Sequence, residues 1–139
     1  MSPQHPVLST EGRRIVICDY NALLLSVTGL LRMSGYQVFQ AYNGPAVLEL
    51  CHQLPNIELL ILNTYGAGID TGDLIRKVRA THHDLAVLHI GTCEPDGLPS
   101  DVPTLFEGFS SEELLAIVGR LINPMIAIES RPWLVRNQD

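Results

Sequence analysis

Hydrophobic residues along the chain fall into short unalternated runs, separated by stretches in which they recur with helical period. Residues 13–18 read RRIVIC, a β-branched run without polar alternation, as expected of a strand covered on both faces. Asn21 can cap a following helix in which Leu23, Val27, Leu30 and Leu31 share one side, and Gly35 supplies its stop. A second strand is predicted over YQVFQA, residues 36–41. The turn Asn43-Gly44 follows it, and Pro45 then opens a helix with Val47, Cys51 and Leu54 on one face, ended by Pro55-Asn56. The third strand, IELLIL over 57–62, is the most apolar and runs into a glycine-bearing loop, residues 63–68. Gly72 to Ala80 reads as a helix with Leu74, Ile75 and Val78 inward. LAVLHI over 85–90 predicts the fourth strand, and PTLF over 103–106 a short fifth. Ser110 with Glu113 three residues on forms a capping box for a last helix, whose stripe is Leu114, Val118, Leu121 and Ile122 before Pro124 ends it.

Strands alternating with helices imply crossover connections, hence a doubly wound five-stranded parallel sheet with helices on both faces. In such folds the working crevice lies at the carboxyl ends of the strands. Those ends carry Cys18, Asp19, Asn63, Gly91, Thr92 and Glu107. The connection between the fourth strand and Glu107 contains Pro95, Gly97, Pro99 and Pro103, which leave no window for two helical turns. The expected organisation is a lead (1–12), one α/β domain (13–122) and a tail (123–139).

Composition narrows the function classes. The longest unbroken apolar run, Leu114 to Val118, is five residues, against the roughly 18 a membrane span needs, so no membrane partner is expected. Fifteen acidic against nine basic residues give a formal charge of −6, and the basic residues are scattered, which argues against a nucleic-acid partner. Lys77 is the sole lysine. Cys18, Cys51 and Cys93 show no metal-type spacing, residues 1–12 contain no apolar signal core, and a reducing cytoplasm fits.

Three segments in order, RRIVICDYN at 13–21, LLILNTYGAGIDTGDLIRKVR at 59–79 and LFEGFSSEELLAIVGRLI at 105–122, resemble the receiver domain of two-component response regulators. The likeness covers about residues 13–122 and implies a flavodoxin-like fold and a part in a phosphorelay. The family's chemistry uses a carboxylate nucleophile, an acidic pair that holds Mg²⁺, and a hydroxyl and a lysine on the phosphoryl oxygens. On this chain the phosphoacceptor position is Asn63, and a carboxamide lacks the charge and nucleophilicity to form an acyl phosphate. The acidic pair becomes Cys18 and Asp19, and Mg²⁺ prefers hard oxygen ligands to a thiol. The hydroxyl position falls on Gly91 with Thr92 beside it, the lysine position on Glu107, and the switch-aromatic position on Thr104. Replacing the lysine by Glu107 reverses the charge that would meet phosphoryl oxygens. The family's fourth helix is expected to be missing or replaced by a loop.

The expectation is therefore a pseudo-receiver with no catalytic residue, no metal and no cofactor. Its partner would be a kinase, a regulator or an output domain, and a second copy of the chain is also a candidate. The fifth-strand edge should be open, to be covered by that second copy or by the tail bearing Trp133, Leu134 and Val135. The alternatives are a flavodoxin-like ligand-binding or enzymatic domain, a soft-metal site at Cys18, Cys93 and His89, and a shifted nucleophile at Asp19 or Asp70. Simpler roles stand beside these: Asp19 as a helix cap, Asn63 as an amide bonded to its loop, the cysteines as buried thiols, Gly66 and Gly68 as turn residues, and His82-His83 as a solvated helix end.

Overall fold

A computed structural model describes residues 12–19, 24–63 and 70–123. The apolar runs form five strands: β1 (Arg14–Asp19), β2 (Gln37–Ala41), β3 (Ile57–Asn63), β4 (Ala86–Gly91) and β5 (Thr104–Phe106). All pairings are parallel, in the order β2-β1-β3-β4-β5. Four helices connect and follow them: α1 (Leu25–Met33), α2 (Gly44–Gln53), α3 (Thr71–Arg79) and α4 (Ser111–Ile122).

Successive strand residues point to opposite faces, and each face has its own core. Ile15, Ile17, Leu59, Ile61, Leu88 and Ile90 pack with Val27 and Leu31 of α1 and Leu114 and Val118 of α4. Val16, Leu60, Leu62 and Val87 pack on the other face with Val47 and Cys51 of α2 and Leu74, Ile75 and Val78 of α3. This two-sided burial is why β1 and β3 carry no polar alternation.

Local chemistry sets the helix ends. Ser110 Oγ accepts the Glu113 backbone N–H at 3.0 Å while Glu113 Oε1 accepts the Ser110 N–H at 2.7 Å, completing the expected capping box. Gly35 adopts φ 101°, which lets its N–H reach the Arg32 carbonyl and the Tyr36 N–H reach the Leu31 carbonyl. These two bonds are the paired closure that a left-handed glycine makes at a helix end. Tyr36 thereby becomes the residue that turns into β2 rather than its first member. Asn43 does more than turn the chain: its Oδ1 accepts the Ala46 N–H at 2.8 Å, making it the cap of α2 with Gly44 and Pro45 in the first turn. The proposed cap Asn21, the loop glycines Gly66 and Gly68, and the tail residues Trp133 to Val135 lie outside the described residues.

Between β4 and β5 there is no helix; residues 92–103 cross as turns and extended chain. This crossing must still cover β4 and β5 on the α3 side, and three contacts hold it there. Val102 is buried in the α2/α3 core. Arg79, at the end of α3, donates Nη1 and Nη2 to the two carboxylate oxygens of Asp101 at 3.2 and 2.8 Å, and also bonds the Leu85 carbonyl at the start of β4. This guanidinium holds the Asp101 carboxyl below its ordinary pKa. Third, the Gly97 carbonyl lies against Gly72, where a Cβ would come within 2.6 Å of that oxygen. Gly97 itself has φ +85°, a conformation that side chains strain to adopt.

The Gly72 contact fixes the sign of a substitution. Gly72→Ala gains at most about 1 kcal/mol of helix propensity but forces a backbone carbonyl aside, a steric cost of about 1–3 kcal/mol. We expect Gly72→Ala to be less stable by about 1 kcal/mol in urea denaturation. Gly119→Ala in α4, where nothing lies within 4 Å of the added carbon, should instead stabilise by about 0.5–1 kcal/mol. A stabilised Gly72→Ala would show that the loop does not rest on α3.

Candidate functional site

The expected crevice is the carboxyl edge of the sheet. Asp19 ends β1 and Asn63 ends β3, and the two are partners in register. Both are buried. By strand alternation they share the α1/α4 face with Ile17 and Ile61, on neighbouring strands about 4.8 Å apart. Asp19 Oδ2 accepts the Leu24 backbone N–H at 2.8 Å. That amide opens α1, whose N-cap position, Leu24, has no side chain able to accept. Asp19 therefore supplies from the strand end the acceptor that the helix start lacks.

Cys18 points the other way. It lies in the α2/α3 core with Ala41, Val47 and Cys51, so Cys18 and Asp19, expected at the acidic-pair positions, do not face one space. Burial pushes the neighbouring Cys51 thiol up to about 11. Cys93 is exposed on the loop after β4. Among the described residues no three His, Cys, Asp or Glu side chains converge as a metal site. Asp70 caps α3, its Oδ1 accepting the Asp73 N–H at 3.0 Å.

At the end of β4 the sequence reading missed a constellation. His89 is buried, and its Nδ1 lies 3.3 Å from Thr104 Oγ1, the residue opposite it on β5. Gly91 stands two residues on, on the same face, and a Cβ there would lie 2.9 Å from His89 Cε1. Glycine at this position therefore makes room for an imidazole. Gly91 and Thr104, expected at the hydroxyl and switch-aromatic positions, thus pack against His89 as one unit. Thr92 lies just past it and is exposed, so it puts no hydroxyl into the pocket. Glu107 is exposed beyond β5, its backbone N–H donating to the Gly91 carbonyl at 3.1 Å. Only the proximity of His89 to Gly91 and to a hydroxyl residue fifteen positions on could have signalled this in sequence.

His82 also departs from its simple reading as a solvated helix end. Its Nε2 lies 2.6 Å from the Cys51 carbonyl, to which it donates, tying the turn after α3 to the end of α2. His83 is exposed.

Comparison with known proteins agrees with this geometry at the level of fold. The receiver domain of the hybrid histidine kinase CckA aligns with 80% of this chain and 99% of its own, at 27% identity and TM-score 0.65. The fold is that of a response-regulator receiver domain. A CheY-like receiver from Methanospirillum hungatei covers 82% of this chain and 96% of its own at 15% identity and TM-score 0.72. A two-component response regulator from Clostridium difficile covers 81% and 98%, at 20% identity and TM-score 0.70. No family model and no curated protein sequence matches the chain. The receiver fold here keeps the five strands and replaces one helix by the proline-bearing crossing.

Burial holds the His89 pKa below its ordinary 6.5, against the opposing effect of the Glu94 carboxylate. Below about pH 6.5 the unfolded chain then binds more protons than the folded one. Stability from this residue is full above that pH and declines as pH falls from there toward the folded value, with a slope of at most about 1.4 kcal/mol per unit. His89→Gln should flatten that part of the profile in denaturation series from neutral to mildly acid pH. An unchanged slope would show that His89 titrates as it does in the unfolded chain.

Proposed function

We propose that this chain is a signalling module of the two-component type that does not accept phosphoryl and acts through protein contact. The observation that carries the reading is the pairing at the carboxyl ends of β1 and β3: an amide, Asn63, in the nucleophile position, beside an Asp19 whose carboxylate is engaged with the first amide of α1. A carboxamide cannot attack a phosphorus centre and leave a stable acyl phosphate. With Cys18 turned into the core, the carboxylate pair that would hold Mg²⁺ is reduced to Asp19. Glu107, in the lysine position, adds negative charge where phosphoryl transfer needs positive.

Activity then rests on surfaces. The likeness to the receiver of a hybrid histidine kinase supports a kinase, regulator or output domain as the partner. The exposed edge of β5, where Phe106 is 54% exposed, supports contact there, with a second copy of the chain as one form of it. Scattered basic residues and a formal charge of −6 favour a protein partner over nucleic acid. Among the described residues no helix is long and apolar enough to cross a membrane.

Incubation with acetyl phosphate and Mg²⁺ should leave the intact mass unchanged. Asn63→Asp alone should behave in the same way, since the metal and charge clamp is still absent. Adding Gly91→Thr should cost stability rather than restore transfer, because its Cβ meets the His89 ring. A Mg²⁺-dependent adduct of one phosphoryl group on the unaltered chain would refute the proposal.

A further inference from the structure

The formal charge of the chain is concentrated in one stretch. Residues 92–119, which make the crossing, β5 and most of α4, hold six acidic residues and no basic one, while the other nine acidic residues are matched by the nine basic ones. Asp101 is engaged by Arg79. Glu94, Asp96, Glu107, Glu112 and Glu113 are exposed, and among the described residues none of them meets a cation in an ion pair. Most of these carboxylates surround an uncovered aromatic ring. β5 ends the sheet and pairs with β4 alone. Phe106 is the register partner of Gly91, so by strand alternation its ring stands on the face that the 92–103 crossing spans. Gly91 offers it no side chain, and with no helix in the crossing the ring is 54% exposed. Glu94 follows Gly91 by three positions, Glu107 is next to Phe106, and Glu112 and Glu113 lie in the first turn of α4.

Resting on the reading of this chain as a module that works through protein contact, we propose that the β5 face docks a basic polypeptide segment of a partner, whose arginine or lysine side chains flank an apolar residue that covers Phe106. Charge selects this occupant over a second copy. A two-fold contact sets one face against the identical face of its mate, which here would bring six carboxylates against six. Like charges so placed oppose association. A segment of opposite sign meets a complementary potential instead, which speeds encounter and sets partner choice. Removing the Phe106 ring from water supplies the short-range part of the affinity. Salt separates the two contributions, because it screens the first over a Debye length of about 10 Å at 0.1 M and leaves the second in place.

The probe is a short synthetic peptide in which about four arginines flank a Leu-Leu pair, titrated into the isotopically labelled chain. We expect saturable shifts of the backbone amide resonances of Glu94, Phe106, Glu107 and Glu112, and binding that weakens about tenfold between low salt and about 0.5 M. Serines in place of the leucine pair should weaken binding several-fold, and glutamates in place of the arginines should abolish it. Glu107→Lys combined with Glu112→Lys should weaken the arginine peptide about tenfold at low salt. Phe106→Ser should remove the difference between the leucine and serine peptides. If one of these variants fails to fold by far-UV circular dichroism, the other and the peptide series on the unaltered chain still decide. No saturable shift at these residues overturns the proposal. Shifts spread equally to Glu49 and Asp84 mean unspecific attraction to a negative protein and also overturn it, as does equal binding of the leucine and serine peptides. A dimer in sedimentation equilibrium that Phe106→Ser dissociates gives the face to a second copy and overturns it too. A phosphoryl adduct with acetyl phosphate would remove the functional reading, whereas failed docking without an adduct removes only this face.

Discussion

The constraint on which the rest of this structure depends is that a parallel sheet must be covered on both faces. The side chains of β1 from Ile15 onward and of β3 from Leu59 onward are wholly or almost wholly buried, and each strand end delivers backbone to a helix or loop that has to return over the sheet. Where three crossings are made with helices the sequence needs only amphipathic period and caps. Between β4 and β5 it has prolines instead, and the cover is assembled from single contacts. The Arg79–Asp101 pair, the buried Val102 and the close approach of Gly97 to Gly72 replace what a helix face would supply by packing.

That substitution reaches the functional edge. With an extended crossing in place of a helix, the space above β4 is filled from below by His89, and Gly91 is small because the imidazole lies there. Thr104 completes the unit across the β4–β5 pair. His89 and Gly91 are buried and Thr104 is half-buried, and the three form a mutually supporting group. Asp19 shows the same conversion on the other face, a carboxylate serving as the missing cap of α1. Residues at positions that the receiver resemblance assigns to chemistry thus make structural contacts in this chain, and Phe106 at the end of β5 stays exposed.

Much of this was legible in the sequence because the signals are local. The Ser110–Glu113 box, the stop at Gly35 and the proline-bearing crossing each depend on residues within one or two turns of one another, and all three formed as expected. Asp19 as a helix acceptor was legible for the same reason, five residues from its partner. Other features were not. Arg79 and Asp101 are 22 positions apart, and His89 and Thr104 fifteen. Their meeting is set by strand order and by the path of the crossing, which the pattern of apolar residues does not encode. The turn read at Asn43-Gly44 did not reveal Asn43 as the cap of α2, because a turn residue and a helix cap share the same preference for asparagine. The placement of Cys18 followed from strand parity, which separates it from Asp19 although they are adjacent in sequence.

The central claim is that the carboxyl edge has become a packed structural element with no cation site. The most direct measurement is a Mg²⁺ titration of the isotopically labelled chain, following the backbone amide resonances of Asp19, Leu24, Asn63 and Gly91. The account predicts that these resonances stay in place up to about 10 mM, a range that spans the weakest divalent-cation affinities found in dedicated sites. Saturable shifts confined to Asp19 and Asn63 would contradict it, because they would mean that the carboxylate still serves a metal rather than the first amide of α1.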